Sequence, residues 1–208
     1  FKPPEGVGLA IDTGPISGGG YIEYDAENER YAGVFDLTVG PVDVKVMGLL
    51  KTELPDGSDG FSLLLSVFGN FPPVQLGFGF TLNGLGGVIG VNRALKAKPL
   101  GRATRSGNLD SVLFPEDPVA HAQRIVSDLR SIYPPTKGKH VFGPMARFGW
   151  GTPTILTMDL GIVLQIPPGT VAILGKLSVG LPSIEVTDAA QMSRLNLAAT
   201  GGLEPKNV

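Results

Sequence analysis

Gln75-Leu76-Gly77-Phe78-Gly79-Phe80-Thr81-Leu82 puts a large apolar side chain at every even position and Gln, Gly or Thr at every odd one. A period of two sends alternate residues to opposite faces of an extended chain, so this stretch predicts a β-strand with one apolar and one nearly bare face. The same alternation recurs on both sides of it. Tyr31, Phe35, Leu37 and Val39 share a parity with Gly33. Val42, Val44, Val46, Leu50 and Leu54 oppose Asp43, Lys45, Lys51 and Glu53, and Phe61, Leu63, Leu65 and Val67 repeat the pattern. In Thr154 to Ile166, the residues Leu156, Met158, Leu160, Ile162, Leu164 and Ile166 face away from Thr157, Asp159, Gly161 and Gln165.

Between these runs stand turn formers: the Gly14 to Gly20 region, Ala26 to Glu29, Pro55 to Gly60, and Pro167-Pro168-Gly169. Thirty glycines and 18 prolines keep the elements short and turn-linked. Short connections imply antiparallel neighbours. The fold class is therefore all-β: a mainly antiparallel meander of about eight to ten strands, curling into an open barrel or sandwich that buries its aliphatic parity.

One segment departs from period two. From Pro118 to Ile132, the residues Val119, Ala122, Ile125, Val126, Leu129 and Ile132 recur at helical spacing. Asp117 suits the N-cap, Pro118 the first helical position, and Pro134-Pro135 forbids continuation. The helix is amphipathic and is expected to cover the curled sheet with its apolar stripe.

With 208 residues, one domain is expected over 1–182, followed by a polar stretch, 183–208, that reads as a flexible or non-native tail. A net charge of −2 from 17 basic and 19 acidic residues gives no footprint for nucleic acid or an anionic surface. Hydrophobic residues make up 42% and charged residues only 17%, so some surface is expected to seek a partner, including self-association through an exposed sheet edge. Without cysteine there is no disulfide, thiolate nucleophile or thiolate metal site. No basic-then-apolar leader stands at Phe1 and no apolar run is long enough for a transmembrane helix, so localisation stays open and the chain reads as a segment of a larger protein. An outer-membrane barrel fits the alternation but sits poorly with an internal helix and few interfacial aromatics.

Several stretches together carry a resemblance: Gly6 to Asp12 with Gly18-Gly19-Gly20-Tyr21, FPPVQLGFGFTLNGLGGVIGVNR at 71–93, FPEDPVAHAQRIVSDL at 114–129, and FGPMARFGWGTPT at 142–154. Through about Leu181 the chain resembles a family of large, β-rich bacterial proteins grouped as a domain of unknown function. The resemblance implies a β-rich scaffold and supplies no catalytic residue.

Candidate chemistry is sparse. His121 lies four residues after Asp117 and seven before Asp128, a spacing by which a carboxylate could orient an imidazole for acid-base work. Asp56, Asp59 and Glu53 offer oxygen ligands of the kind calcium takes, without the spacing of an EF-hand loop. His140 follows Lys137-Gly138-Lys139 and reads as a surface residue. Gly57-Ser58-Asp59-Gly60 is not a nucleophile elbow, and Gly84 to Gly90 lacks dinucleotide spacing. Arg93, Lys96, Lys98, Arg102 and Arg105 form a basic run suited to a solvated loop or short helix, and Trp150 reads as core or rim.

Two functions follow. The favoured one is a β-scaffold or binding module whose apolar face or lumen takes lipid-like acyl ligands or neighbouring segments. The alternative is a calcium-assisted hydrolase of amphipathic acyl esters or lactones, such as N-acyl-homoserine lactones, with water activated directly rather than through a covalent intermediate.

Overall fold

The computed structural model describes residues 6–105, 109–181 and 193–203. Strands β1 (Gly6–Asp12), β2 (Ile16–Asp25), β3 (Arg30–Val39), β4 (Val42–Glu53), β5 (Asp59–Gly77) and β6 (Phe80–Arg93) follow one another through short turns. Then come helix α1 (Ala97–Arg105), a 3-10 turn at Leu109–Ser111 and helix α2 (Ala122–Ile132). Strands β7 (Pro135–Trp150), β8 (Leu156–Ile166), β9 (Thr170–Leu181) and β10 (Ser193–Leu203) complete the sequence. Every strand pairs antiparallel with its sequence neighbour, in the order β1 to β10, giving one open meander not closed into a barrel. Of the stretch read as a tail, residues 193–203 form β10 against β9; 183–192 and 204–208 lie outside the described residues.

The stretch 75–82 is not one strand. It is the tip of the β5–β6 hairpin, with Gly77, Phe78 and Gly79 all at positive φ and Gly77 paired to Phe80. Phe78, counted on sequence as an apolar-face residue, is 98% exposed. Alternation survives a tight turn because the turn adds an even number of residues, so periodicity alone does not reveal it. The first turn is also tighter than expected: β2 begins at Ile16, and Thr13 donates its backbone N–H to the Ile16 carbonyl.

Cross-strand partners share a face, so the register sorts the two sides of the sheet. One row runs Val7, Ile22, Gly33, Gly48, Leu65, Ile89, Phe142, Leu164 and Val171. The next two rows to one side contain Phe35, Val46, Val67 and Gly87, and Leu37, Val44, Gly69, Leu85, Ala146 and Leu160. This is the aliphatic parity, and it is the face left open: Ile89 is 51% exposed, Phe142 55% and Ile173 55%.

The helices cover the opposite parity, which the sequence marks as polar. There Val34, Met47, Leu49, Leu64, Phe68, Val88, Val141, Met145, Val163 and Leu174 join Ile125, Val126, Leu129 and Ile132 of α2 in one buried cluster. The expectation that the aliphatic parity is the buried one is therefore corrected. Glycines make room on this side for the helical insertion between β6 and β7: a Cβ on Gly86 would lie 2.4 Å from the Phe68 ring, and one on Gly161 would lie 3.0 Å from Met145 and 3.1 Å from Leu113. Helix α2 begins at Ala122 rather than Pro118, because Asp117 accepts a hydrogen bond from Ala120 N–H and so caps the turn ahead of the helix.

Candidate functional site

The covered face holds its insertion through polar side chains. Lys45 donates to the carbonyls of Pro115 (2.8 Å) and Glu116 (2.6 Å), and Gln165 accepts from Leu95 N–H at 2.6 Å. Arg147, Asp159 and Lys176 stand side by side on β7, β8 and β9, a juxtaposition fixed by register. Arg147 donates in bidentate fashion to Asp159 (2.6 and 2.8 Å), reaches the Phe114 carbonyl at 3.3 Å and stacks on the Phe114 ring; Lys176 donates to Asp110 of the 3-10 turn. Asp159 is 2% exposed, so the pairing offsets a desolvation that an isolated carboxylate would not survive. Burial pushes the Asp36 carboxyl upward, opposed by Lys45 at 3.7 Å. Beside the Arg147 row lies a cavity of about 380 Å³, lined in part by Asn70, Asn83, Glu116, Thr157 and Ser178. The Asn83 Oδ1 is buried with no hydrogen-bond partner among the described residues.

At the other end of the sheet, a smaller cavity of about 170 Å³ collects Arg30, Lys51, Arg93 and Arg130. Arg30 and Lys51 are register partners on β3 and β4, and Arg93 closes β6 opposite Pro135. Sequence reading placed Arg93 in a solvated basic run. In the fold it is 2% exposed, because β6 carries it under the insertion while Lys96 and Lys98 emerge beyond it.

His121 precedes α2 at an exposed position, and its Nδ1 lies 2.9 Å from the Asp117 backbone carbonyl. The Asp117 carboxylate faces Ala120 N–H, and the Asp128 carboxylate accepts from Ser111 Oγ at 2.7 Å. Each carboxylate is thus engaged with a partner other than the His121 imidazole. The Asp56 carboxylate accepts from Lys137 (2.8 Å) and from Ser58 Oγ (2.6 Å), and these two partners hold its carboxyl far below the usual range. Asp59 faces Glu53 across the β4–β5 hairpin, and Glu53 lies 4.0 Å from Lys51. Among the described residues, no group of three or more His, Asp or Glu is placed to hold a metal ion. His140 is exposed on the open face beside Val91 and Ile166. Trp150 stands at the rim and donates its indole N–H to the Phe78 carbonyl at 3.2 Å.

The open face is the largest feature. Across the strands β1 to β9 its positions are Val, Leu, Ile, Met, Phe, Tyr, Trp, Ala, Pro and Gly, with His140 and Thr52 the polar exceptions and no Asp, Glu, Lys or Arg. With strands about 4.8 Å apart and about 3.3 Å per residue, the four central rows span roughly 1,100 Å². That exceeds the roughly 300–600 Å² of the largest apolar patch on an ordinary soluble monomer. Among the described residues no helix is long and apolar enough to cross a membrane.

No curated protein and no solved structure matches the chain. A family model does, and its match runs past the Leu181 limit of the resemblance to cover residues 1–208. The chain belongs to this family, described as a family of unknown function (DUF6603).

Proposed function

We propose that this protein is a β-scaffold whose open sheet face binds the acyl chains of amphiphiles. The observation that carries the reading is the uncharged aliphatic face in register across β1 to β9. Protein partners ordinarily exchange about one hydrogen bond per 100–200 Å² of interface. Here the backbone groups are committed to the ladder, and the side chains offer almost no donor or acceptor. Hydrocarbon asks for none, and its removal from water yields roughly 25 cal/mol per Å² of apolar surface covered. The sheet tolerates the exposure because its stability comes from the other side.

The test is titration of the protein with a fluorescent long-chain fatty acid. Leu65→Lys with Ile89→Lys, two adjacent members of the central row, should weaken binding at least tenfold, each buried lysine charge costing more than 1.4 kcal/mol. Lys139→Glu, half-buried on β7 at the parity opposite the open face, should leave it unchanged. Equal binding by all three proteins would remove the open face from the reading.

A further inference from the structure

The Arg30, Lys51, Arg93 and Arg130 cavity carries a second recognition element. Arg93 is the decisive residue. Its guanidinium is buried and, among the described residues, donates only to carbonyls: Tyr133 at 3.0 Å, and Leu49 and Ser62 at 3.5 Å each. Its Nε has no hydrogen-bond partner, and no carboxylate among the described residues pairs with it. Burial and the like charges of Arg130 and Arg30 pull it down to about 10. An uncompensated buried cation is costly, and proteins ordinarily offset one with a counter-ion.

The neighbours do not supply that counter-ion. Glu23 is taken by Arg130 at 2.8 Å, Glu53 lies 4.0 Å from Lys51, and Asp25 near Arg30 is tied to Asn28. Two planar guanidinium forks with a third arginine and a lysine suit a group carrying several oxygen acceptors and negative charge, which is the chemistry of phosphate. The location adds the rest. Tyr31 and Leu50 line the same cavity, and both belong to the open-face row that runs Tyr24, Tyr31, Leu50, Leu63 and Val91. Arg30, Lys51 and Arg93 point to the helix-covered side while Tyr31 and Leu50 point to the open one, so a group held by these cations lies at the strand ends, and a chain attached to it reaches the aliphatic face by passing around them.

We infer that the Arg30–Lys51–Arg93–Arg130 cavity receives the phosphate of an amphiphile whose acyl chain lies along the open face. The inference rests on the acyl-binding reading above and narrows its ligand to lipids with an accessible phosphate.

Isothermal titration with three probes separates the parts: a lysophosphatidate, the monoacylglycerol of the same chain length, and inorganic phosphate. The lysophosphatidate should bind at least tenfold more tightly than the monoacylglycerol, which lacks the oxygens that accept charge-assisted hydrogen bonds from these side chains. Arg30→Gln with Lys51→Gln, both at the rim and outside the buried core, should abolish that preference and leave monoacylglycerol binding intact. Arg93→Met serves as a second variant, checked for folding by circular dichroism. Equal affinity for the two lipids would overturn the phosphate site while leaving acyl binding standing. Tight binding of inorganic phosphate with no gain from the chain would keep an oxyanion site and overturn the amphiphile. Failure of both lipids, with phosphate still raising the melting temperature, would sink the acyl reading and not the cavity.

Discussion

Single residues on the two faces of this sheet carry opposite consequences for charge. Asp159 is buried and bidentate with Arg147, whose own side chain is mostly enclosed. Asp159→Asn removes the charge and leaves the guanidinium without compensation, so the variant should lose about 3–5 kcal/mol of stability in a urea titration. Asp56 is the contrasting case, exposed but held by Lys137 and Ser58. Its folded-state pKa is depressed, so its contribution is present above the unfolded value of about 3.9 and is lost as pH falls toward the folded one. A carboxyl chemical-shift titration should therefore find the Asp56 midpoint well below 3.9, and Lys137→Met should move it upward.

At the scale of elements, the turns and helix edges separate what sequence reveals from what it hides. Strand positions were legible wherever Pro, Asp or Gly marks both ends, as for β4 between Gly40-Pro41 and Pro55 and for β8 before Pro167. The β5–β6 tip was not, because Phe78 sits in phase with its neighbours while its backbone is left-handed at φ 52°. A bulky residue there costs roughly 1–2 kcal/mol, and at 98% exposure its ring recovers nothing from burial. Phe78→Asn should consequently stabilise the protein by up to about 1 kcal/mol in the same urea assay. The helix was legible as an amphipathic stripe, but its cap was not, since Asp117 serves a preceding turn. The basic cavity left no sequence signal: Arg30, Lys51, Arg93 and Arg130 lie far apart in the chain and meet only through the β3–β4 register and the return of the insertion over the sheet.

Which face of the whole sheet is the core follows from packing, not from hydropathy of one parity. The aliphatic parity wins any count of apolar residues, yet the insertion packs on the other, where Gly86 and Gly161 make room and Lys45, Arg147, Gln165 and Lys176 tie it down. Leu64 and Leu65 put this to a single-residue test. They are neighbours in β5 with identical side chains; Leu64 is 0% exposed in the helix-covered cluster and Leu65 is 37% exposed on the open face. Leu64→Lys drives an unpaired ammonium into the core, which costs several kcal/mol and should abolish the cooperative thermal transition. Leu65→Lys meets water on its own side, so its melting transition should persist with a change of less than about 1 kcal/mol. The same Leu65→Lys change should lower the fluorescence of an apolar surface dye, because it interrupts the central row between Gly48 and Ile89. If instead Leu65→Lys unfolded the protein and Leu64→Lys did not, the helices would have to cover the aliphatic side, and the face assigned to acyl chains would be the core.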